Sequence, residues 1–156
     1  MSADAADKPG VIAPPPLIYL AAIVLGAALE QLWRLRLPVD GWGRLAGLLL
    51  LAAAVFLAWW AVRELERAKT SPKPHKPTTA IVTSGPFRYT RNPIYIAFTL
   101  IQVGAALLGA SGWILSLLVP VLVIVRVGVV GREERYLERK FGQEYLTYTN
   151  SVRRWM

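Results

Sequence analysis

The chain has 156 residues, of which 54% are hydrophobic and six are tryptophan, and it carries a formal charge of +8. It contains no cysteine, which excludes disulfides, thiolate metal sites and cysteine nucleophiles, and its single histidine, His75, excludes a multi-histidine metal site. A soluble domain is nearer about 45–50% apolar; here the excess sits in four long runs and mean hydropathy is +0.40. The composition predicts an all-α integral membrane protein of about four transmembrane helices, with no metal. Basic residues cluster at helix ends, a pattern that suits topology and anionic headgroups and not nucleic acid.

Met1–Gly10 lacks the basic region and cleavage site of a signal peptide, so the first run reads as a retained helix. Pro14-Pro15-Pro16 cannot sit inside a helix, although the last proline can lead into one. Residues 17–35 form the first predicted span, interrupted by Glu30 and followed by Arg34 and Arg36. After a turn at Pro38–Gly41, residues 45–62 form the second, with Trp42, Trp59 and Trp60 at interfacial depths. A long loop, 69–92, is rich in Pro, Thr, Lys and Gly; loops of this length are functional or disordered. Residues 93–108 form a short third span and Gly109–Gly112 a tight connection. The fourth span, 113–130, contains Pro120 and Arg126, and a charged tail, 131–156, follows with helix to about Lys140.

Cation counts set the predicted orientation. The second loop region holds seven Lys and Arg (Arg63, Arg67, Lys69, Lys73, Lys76, Arg88, Arg91) and the tail six (Arg132, Arg135, Arg139, Lys140, Arg153, Arg154). The first loop holds three (Arg34, Arg36, Arg44) and Gly109–Gly112 none. The positive-inside bias therefore places the long loop, the tail and both termini in the cytoplasm. Loop and tail then flank the last two helices on one side, where they can enclose a water-soluble cofactor while the bilayer admits an apolar substrate.

Two segments can carry chemistry. In Ser84–Tyr95, Gly85-Pro86 is a turn, and Asn92-Pro93 reads as an N-cap and first helical residue. A helix N-terminus offers free N–H groups to an anion such as a cofactor carboxylate. Taken singly, Arg88 and Arg91 are ordinary juxtamembrane cations and Tyr89 and Tyr95 ordinary interfacial aromatics. In Arg132–Glu138, Glu133 and Glu134 lie about 100° apart on a helix and face different partners. This segment is either a solvated helix end, with Glu134/Glu138 and Arg135/Arg139 at i,i+4, or a place where one glutamate binds a ribose hydroxyl or the cationic part of a cofactor. An arginine inside a membrane run is functional or paired, but Arg126 lies close enough to the end to snorkel.

Gly85-Pro-Phe-Arg-Tyr-Thr-Arg-Asn-Pro-Ile-Tyr95, an apolar hairpin, Glu133-Glu134, then Phe141-Gly-x-x-Tyr145-x-x-Tyr148 together resemble the isoprenylcysteine carboxyl methyltransferase and phospholipid methyltransferase superfamily. The likeness covers roughly Pro77–Arg154. The family pattern is Arg-His-Pro-x-Tyr, a hydrophobic stretch and Glu-Glu, which enclose S-adenosylmethionine. The resemblance implies that Arg91, Asn92, Pro93 and Tyr95 form one wall of the cofactor pocket and Glu133 and Glu134 another. Tyr89 and Arg132 would be neighbours, with Tyr145, Tyr148 and Arg153 closing the site. Asn92 stands where the family has histidine, which removes an acid/base group, and Ala97 stands where glycine is frequent.

The expected function is S-adenosylmethionine-dependent methyl transfer to a lipid-like or amphipathic small molecule at the cytoplasmic face of a bacterial inner membrane. Glu134 and Arg153 are the candidate catalytic residues, Arg153 or another tail arginine holding an anionic acceptor group. Methyl transfer from a sulfonium relies on positioning and water exclusion, so it needs no histidine or cysteine. The alternatives are an NADPH-dependent membrane reductase of sterol-reductase type and a small four-helix transporter using Glu30.

Overall fold

The computed structural model describes residues 9–71 and 77–155. His75, Lys73, Lys76 and most of the Met1–Gly10 reading lie outside the described residues. Among those described, every regular element is helical: α1 (Pro15–Leu32), α2 (Gly41–Arg67), α3 (Pro93–Leu108), α4 (Gly112–Phe141) and α5 (Gln143–Ser151), with one 3-10 turn at Gly85–Arg88. Helices α1, α2 and α4 are long and apolar enough to cross a membrane. The 16 residues of α3 reach only about 24 Å at about 1.5 Å per residue, less than the roughly 30 Å of hydrocarbon. The chain is an all-α integral membrane protein with three full-length apolar helices and a shorter fourth.

Prolines at the first helical positions start α1, where their missing N–H groups cost nothing. The helix ends at Leu32, three residues before the expected Leu35, because Trp33 turns extended. The following backbone then pairs with the α3–α4 turn. Gly112 N donates to Leu35 O at 2.6 Å and Leu37 N to Ala110 O at 2.9 Å, so Arg34 and Arg36 lie outside the helix. Asp40 caps α2 by accepting from Gly43 N at 2.8 Å. At 27 residues, α2 spans roughly 40 Å and carries Arg63, Glu64 and Arg67 past the apolar zone.

Helices α2 and α3 run antiparallel and meet at paired glycines. A Cβ on Gly47 would lie 3.0 Å from Gly104 O, and one on Gly104 2.9 Å from Gly47 O. Such close approach lets dispersion replace a hydrophobic driving force that lipid does not supply. Gly26 brings α1 equally close to the backbone at Ile114. Helix α4 is irregular: it breaks at Leu117, three residues before Pro120, and widens into a π-turn at Arg126–Val130. Proline accounts for the first defect by removing a ladder N–H. The main core cluster joins Tyr19 and Ala22 of α1, Tyr95 of α3, and Val121, Val125, Val129 and Val130 of α4.

The up-and-down course brings the start of α1, the end of α2, the start of α3 and the charged end of α4 to one end of the bundle. Glu30 lies at the other, where Ser111 Oγ donates to its Oε2 at 2.9 Å.

Candidate active site

The segment 84–95 is folded by a small set of contacts. Gly85 has φ +58, and a Cβ there would lie 2.5 Å from Glu64 Cγ, so both conformation and space require glycine. Glu64 fastens this turn to α2: its Oε2 accepts from Ser84 Oγ at 2.7 Å and its Oε1 from Arg67 Nη1 at 2.6 Å. Tyr148 of α5 donates to Phe87 O at 2.8 Å. Arg91 N–H donates to Arg153 O at 3.0 Å, while Thr90 Oγ1 and Asn92 Nδ2 both donate to Arg154 O, at 3.1 and 2.9 Å. The tail is thus laced onto the entrance to α3.

Asn92 holds the N-cap position of α3, but its side chain does not cap the helix. That corrects the capping expectation: the amide is spent on Arg154 O, and the Asn92 N–H instead finds Thr90 Oγ1 at 3.2 Å.

Above these residues lies a cavity of about 480 Å³, within the range of roughly 300–1,000 Å³ usual for small-molecule sites. Arg91, Asn92, Pro93 and Tyr95 line it from α3 and its approach, and Glu133 and Glu134 from α4. Tyr145 and Tyr148 line it from α5. The two segments and α5, far apart in sequence, therefore share one chamber.

The two glutamates are held differently. Glu134 accepts a fork from Arg154, Nε to Oε1 at 2.9 Å and Nη2 to Oε2 at 2.6 Å, the bidentate arrangement that makes such pairs strong. Arg91 Nη1 stands 3.3 Å from the same Oε1. Of the two readings left open for this segment, the solvated helix end does not describe Glu134, whose partners Arg154 and Arg91 come from other segments. Among the described residues Glu133 has a single donor, the neutral Tyr95 hydroxyl, 2.8 and 2.7 Å from its two oxygens. Among the described residues Arg91 Nε is buried and without a hydrogen-bond partner, and Arg91 lines the chamber.

Burial, with the Glu134 carboxylate as second cause, pushes the Tyr145 hydroxyl up to about 12, against an opposing pull from Arg91. Burial likewise raises Tyr148, assisted by Tyr145. Both remain neutral hydroxyls at physiological pH.

Three expected site residues lie elsewhere. Tyr89 is 68% exposed and does not line the chamber. Arg132 turns away, donating to Gly10 O at 2.8 Å. Arg153 is exposed and contributes its carbonyl to Arg91; its neighbour Arg154 carries the contact with Glu134. Thr90 and Glu64 were not legible as site residues, and Arg154 only as an unspecified tail arginine. Tyr136, a further lining residue, accepts at its hydroxyl from Thr78 N at 3.2 Å and Lys140 Nζ at 3.1 Å, pinning the long loop to α4.

The family model for phospholipid methyltransferase matches residues 42–144. An uncharacterized protein of Haemophilus influenzae (strain ATCC 51907 / DSM 11121 / KW20 / Rd) is 42% identical over 64 residues, which cover 40% of this chain and 100% of that protein. No solved structure matches. The matched range takes in both glutamates and the 84–95 segment, and leaves out α1, the residues before it, and Arg154.

Proposed function

Because the chain belongs to the phospholipid methyltransferase family, a family of membrane methyltransferases, we propose that it transfers a methyl group from S-adenosylmethionine to a lipid-like or amphipathic acceptor at the cytoplasmic face of a bacterial inner membrane. The observation that carries this reading is the convergence of Arg91, Tyr95, Glu133 and Glu134 on one chamber at a membrane-proximal end of the bundle. The Lys and Arg bias is the support for calling that end cytoplasmic.

The donor set suits the proposed cofactor. Arg91, with its unpartnered buried Nε, is a donor for the cofactor carboxylate. Glu134 and Glu133 are acceptors for ribose hydroxyls, and Val82, Ile94 and Leu137 offer apolar surface to an adenine ring. A buried carboxylate opposed only by a neutral hydroxyl favours a cation, so Glu133 suits a sulfonium. S-adenosylmethionine, when bound, would supply an electrophilic methyl carbon whose bond to sulfur breaks as the acceptor's lone pair attacks in line, with S-adenosylhomocysteine as the neutral leaving group.

The chain's own contribution is positioning and exclusion of water. Glu134, clamped by Arg154 and Arg91, fixes the tail over the α3 entrance. Tyr95 orients the Glu133 carboxylate. Tyr145 and Tyr148, neutral throughout the physiological range, close the chamber without adding charge. With asparagine at position 92, no histidine moves a proton there. The family match lends no support to the reductase or transporter alternatives, and Glu30 lies at the opposite end of the bundle from the chamber.

The test is transfer of tritium from methyl-labelled S-adenosylmethionine into the organic extract of membranes containing the chain, with Glu133→Gln in parallel. Transfer above an empty-membrane control, falling roughly 100-fold in the variant as for loss of one preorganised electrostatic contact, is expected. No transfer by the wild type, or an undiminished rate in the variant, contradicts the proposal.

A further inference from the structure

The residues before α1 and its first turn lie outside the family match, yet they build one wall of the chamber: Pro9 and Pro14 of the approach and Pro15 and Pro16 of α1 all line it. Residues 9–14 cross α4 as a strap held at three points. Arg132 Nη1 donates to Gly10 O at 2.8 Å. Ile12 N–H donates to Gly128 O at 3.3 Å. The Ile12 side chain fills the notch that Gly128 leaves, where an added Cβ would collide with Ile12 Cδ1 and lie 2.8 Å from its Cγ1. Gly128 sits in the π-turn, where the regular helical ladder is interrupted and a carbonyl can serve an outside donor. Val11 of the strap and Phe98 of α3 pack on the same core cluster.

The charge of the chamber lies away from this wall. Its charged side chains are Arg91, Glu133 and Glu134, whereas the strap adds only proline rings. A volume of about 480 Å³ is that of a site for one small molecule. A cofactor held there would share this space with the reacting end of an acceptor.

We propose that the strap is the acceptor-selecting wall: it admits a slender apolar segment carrying the methyl-accepting group and turns away bulkier bodies, leaving the cofactor end unaffected. This inference rests on the methyltransferase reading above. Selectivity then resides in Pro9, Ile12 and Pro14 of the strap with Pro15 and Pro16 at the start of α1, which the family match does not cover, and in Gly128, which it does.

The absence of cysteine allows a direct test on the full-length, detergent-purified protein. Phe98→Cys places a single thiol in the chamber wall, and its labelling rates with N-ethylmaleimide and with the larger N-(1-pyrenyl)maleimide are compared. With the native strap the small reagent reacts faster. Gly128→Ala keeps a helix-compatible residue but unseats Ile12, and is expected to narrow the rate ratio about tenfold, the scale of overpacking at a tight contact. Adding Ile12→Ala to Gly128→Ala removes the collision and is expected to restore much of the ratio. A ratio near one with the native strap, or one that Gly128→Ala leaves unchanged, overturns the proposal. S-adenosylhomocysteine affinity is measured on the same proteins. Retained affinity in Gly128→Ala is expected, and its selective loss there overturns the separation of strap from cofactor end. Failure of every protein to bind it, native strap included, counts against the methyltransferase reading, while the labelling ratio still judges the strap.

Discussion

Arg153 and Arg154 are adjacent and chemically identical, so substituting each in turn isolates geometry from composition. Arg154→Ala removes the fork to Glu134, at 2.9 and 2.6 Å, and leaves that carboxylate with Arg91 alone at 3.3 Å. Removing one partner of a fully buried pair costs roughly 3–5 kcal/mol. The Arg154 side chain is 37% exposed, so solvent screening reduces the expected loss to about 1–2 kcal/mol. That loss should fall on the docking of the tail, because the backbone bonds to Arg154 O and Arg153 O remain. Opening the tail by this much weakens a ligand enclosed beneath it by about 5- to 30-fold. Arg153→Ala, which removes an exposed side chain and keeps the carbonyl, should change affinity by less than about twofold. Hydrogen exchange of residues 143–155 and titration with S-adenosylhomocysteine read both effects. Equal behaviour of the two variants, or faster exchange in Arg153→Ala, would refute the assignment of the clamp to Arg154 and Glu134.

Tyr148→Phe leaves Phe87 O without its 2.8 Å donor and should cost about 1–2 kcal/mol, seen as a lower melting temperature in detergent; an unchanged transition contradicts the packing of α5. Gly85→Ala should destabilise far more than Gly142→Ala. Both have positive φ, +58 and +52, but a Cβ at 85 meets Glu64 at 2.5 Å whereas one at 142 meets nothing, so at 142 only the backbone strain of a sparsely populated conformation applies, roughly 1–3 kcal/mol. High pH should also destabilise the protein. Tyr145, ordinarily near 10.0, is raised to about 12, so the unfolded chain loses that proton first. The stability it contributes is full below pH 10.0 and is lost as pH rises towards about 12. Tyr145→Phe should flatten that part of the pH–stability curve, and an unaltered slope contradicts the burial of the hydroxyl.

The membrane architecture was legible because apolar run length is a strong signal: residues 93–108 coincide with α3, and the other runs lie within or overlap their helices. The ends were harder. Leu32 ends α1 because Leu35 and Leu37 pair with the α3–α4 turn, a long-range backbone contact that no local pattern announces. The Ser84–Tyr95 and Glu133-Glu134 segments could be singled out by order and spacing, and the structure brings them to one chamber. Division of labour between the glutamates could not be read, since it depends on where Arg91 and Arg154 arrive in space. Asn92 shows the same limit: its sequence context is that of a cap, yet a tail carbonyl competes successfully for its amide. Arg132 sits beside the glutamates but turns by helical rotation to the strap.

The most direct measurement is isothermal titration of the purified wild-type chain with S-adenosylhomocysteine and, separately, with NADPH. Saturable binding of S-adenosylhomocysteine that weakens in Glu134→Ala, with no binding of NADPH, is the predicted result. Binding of NADPH alone, or of neither ligand, would contradict the account.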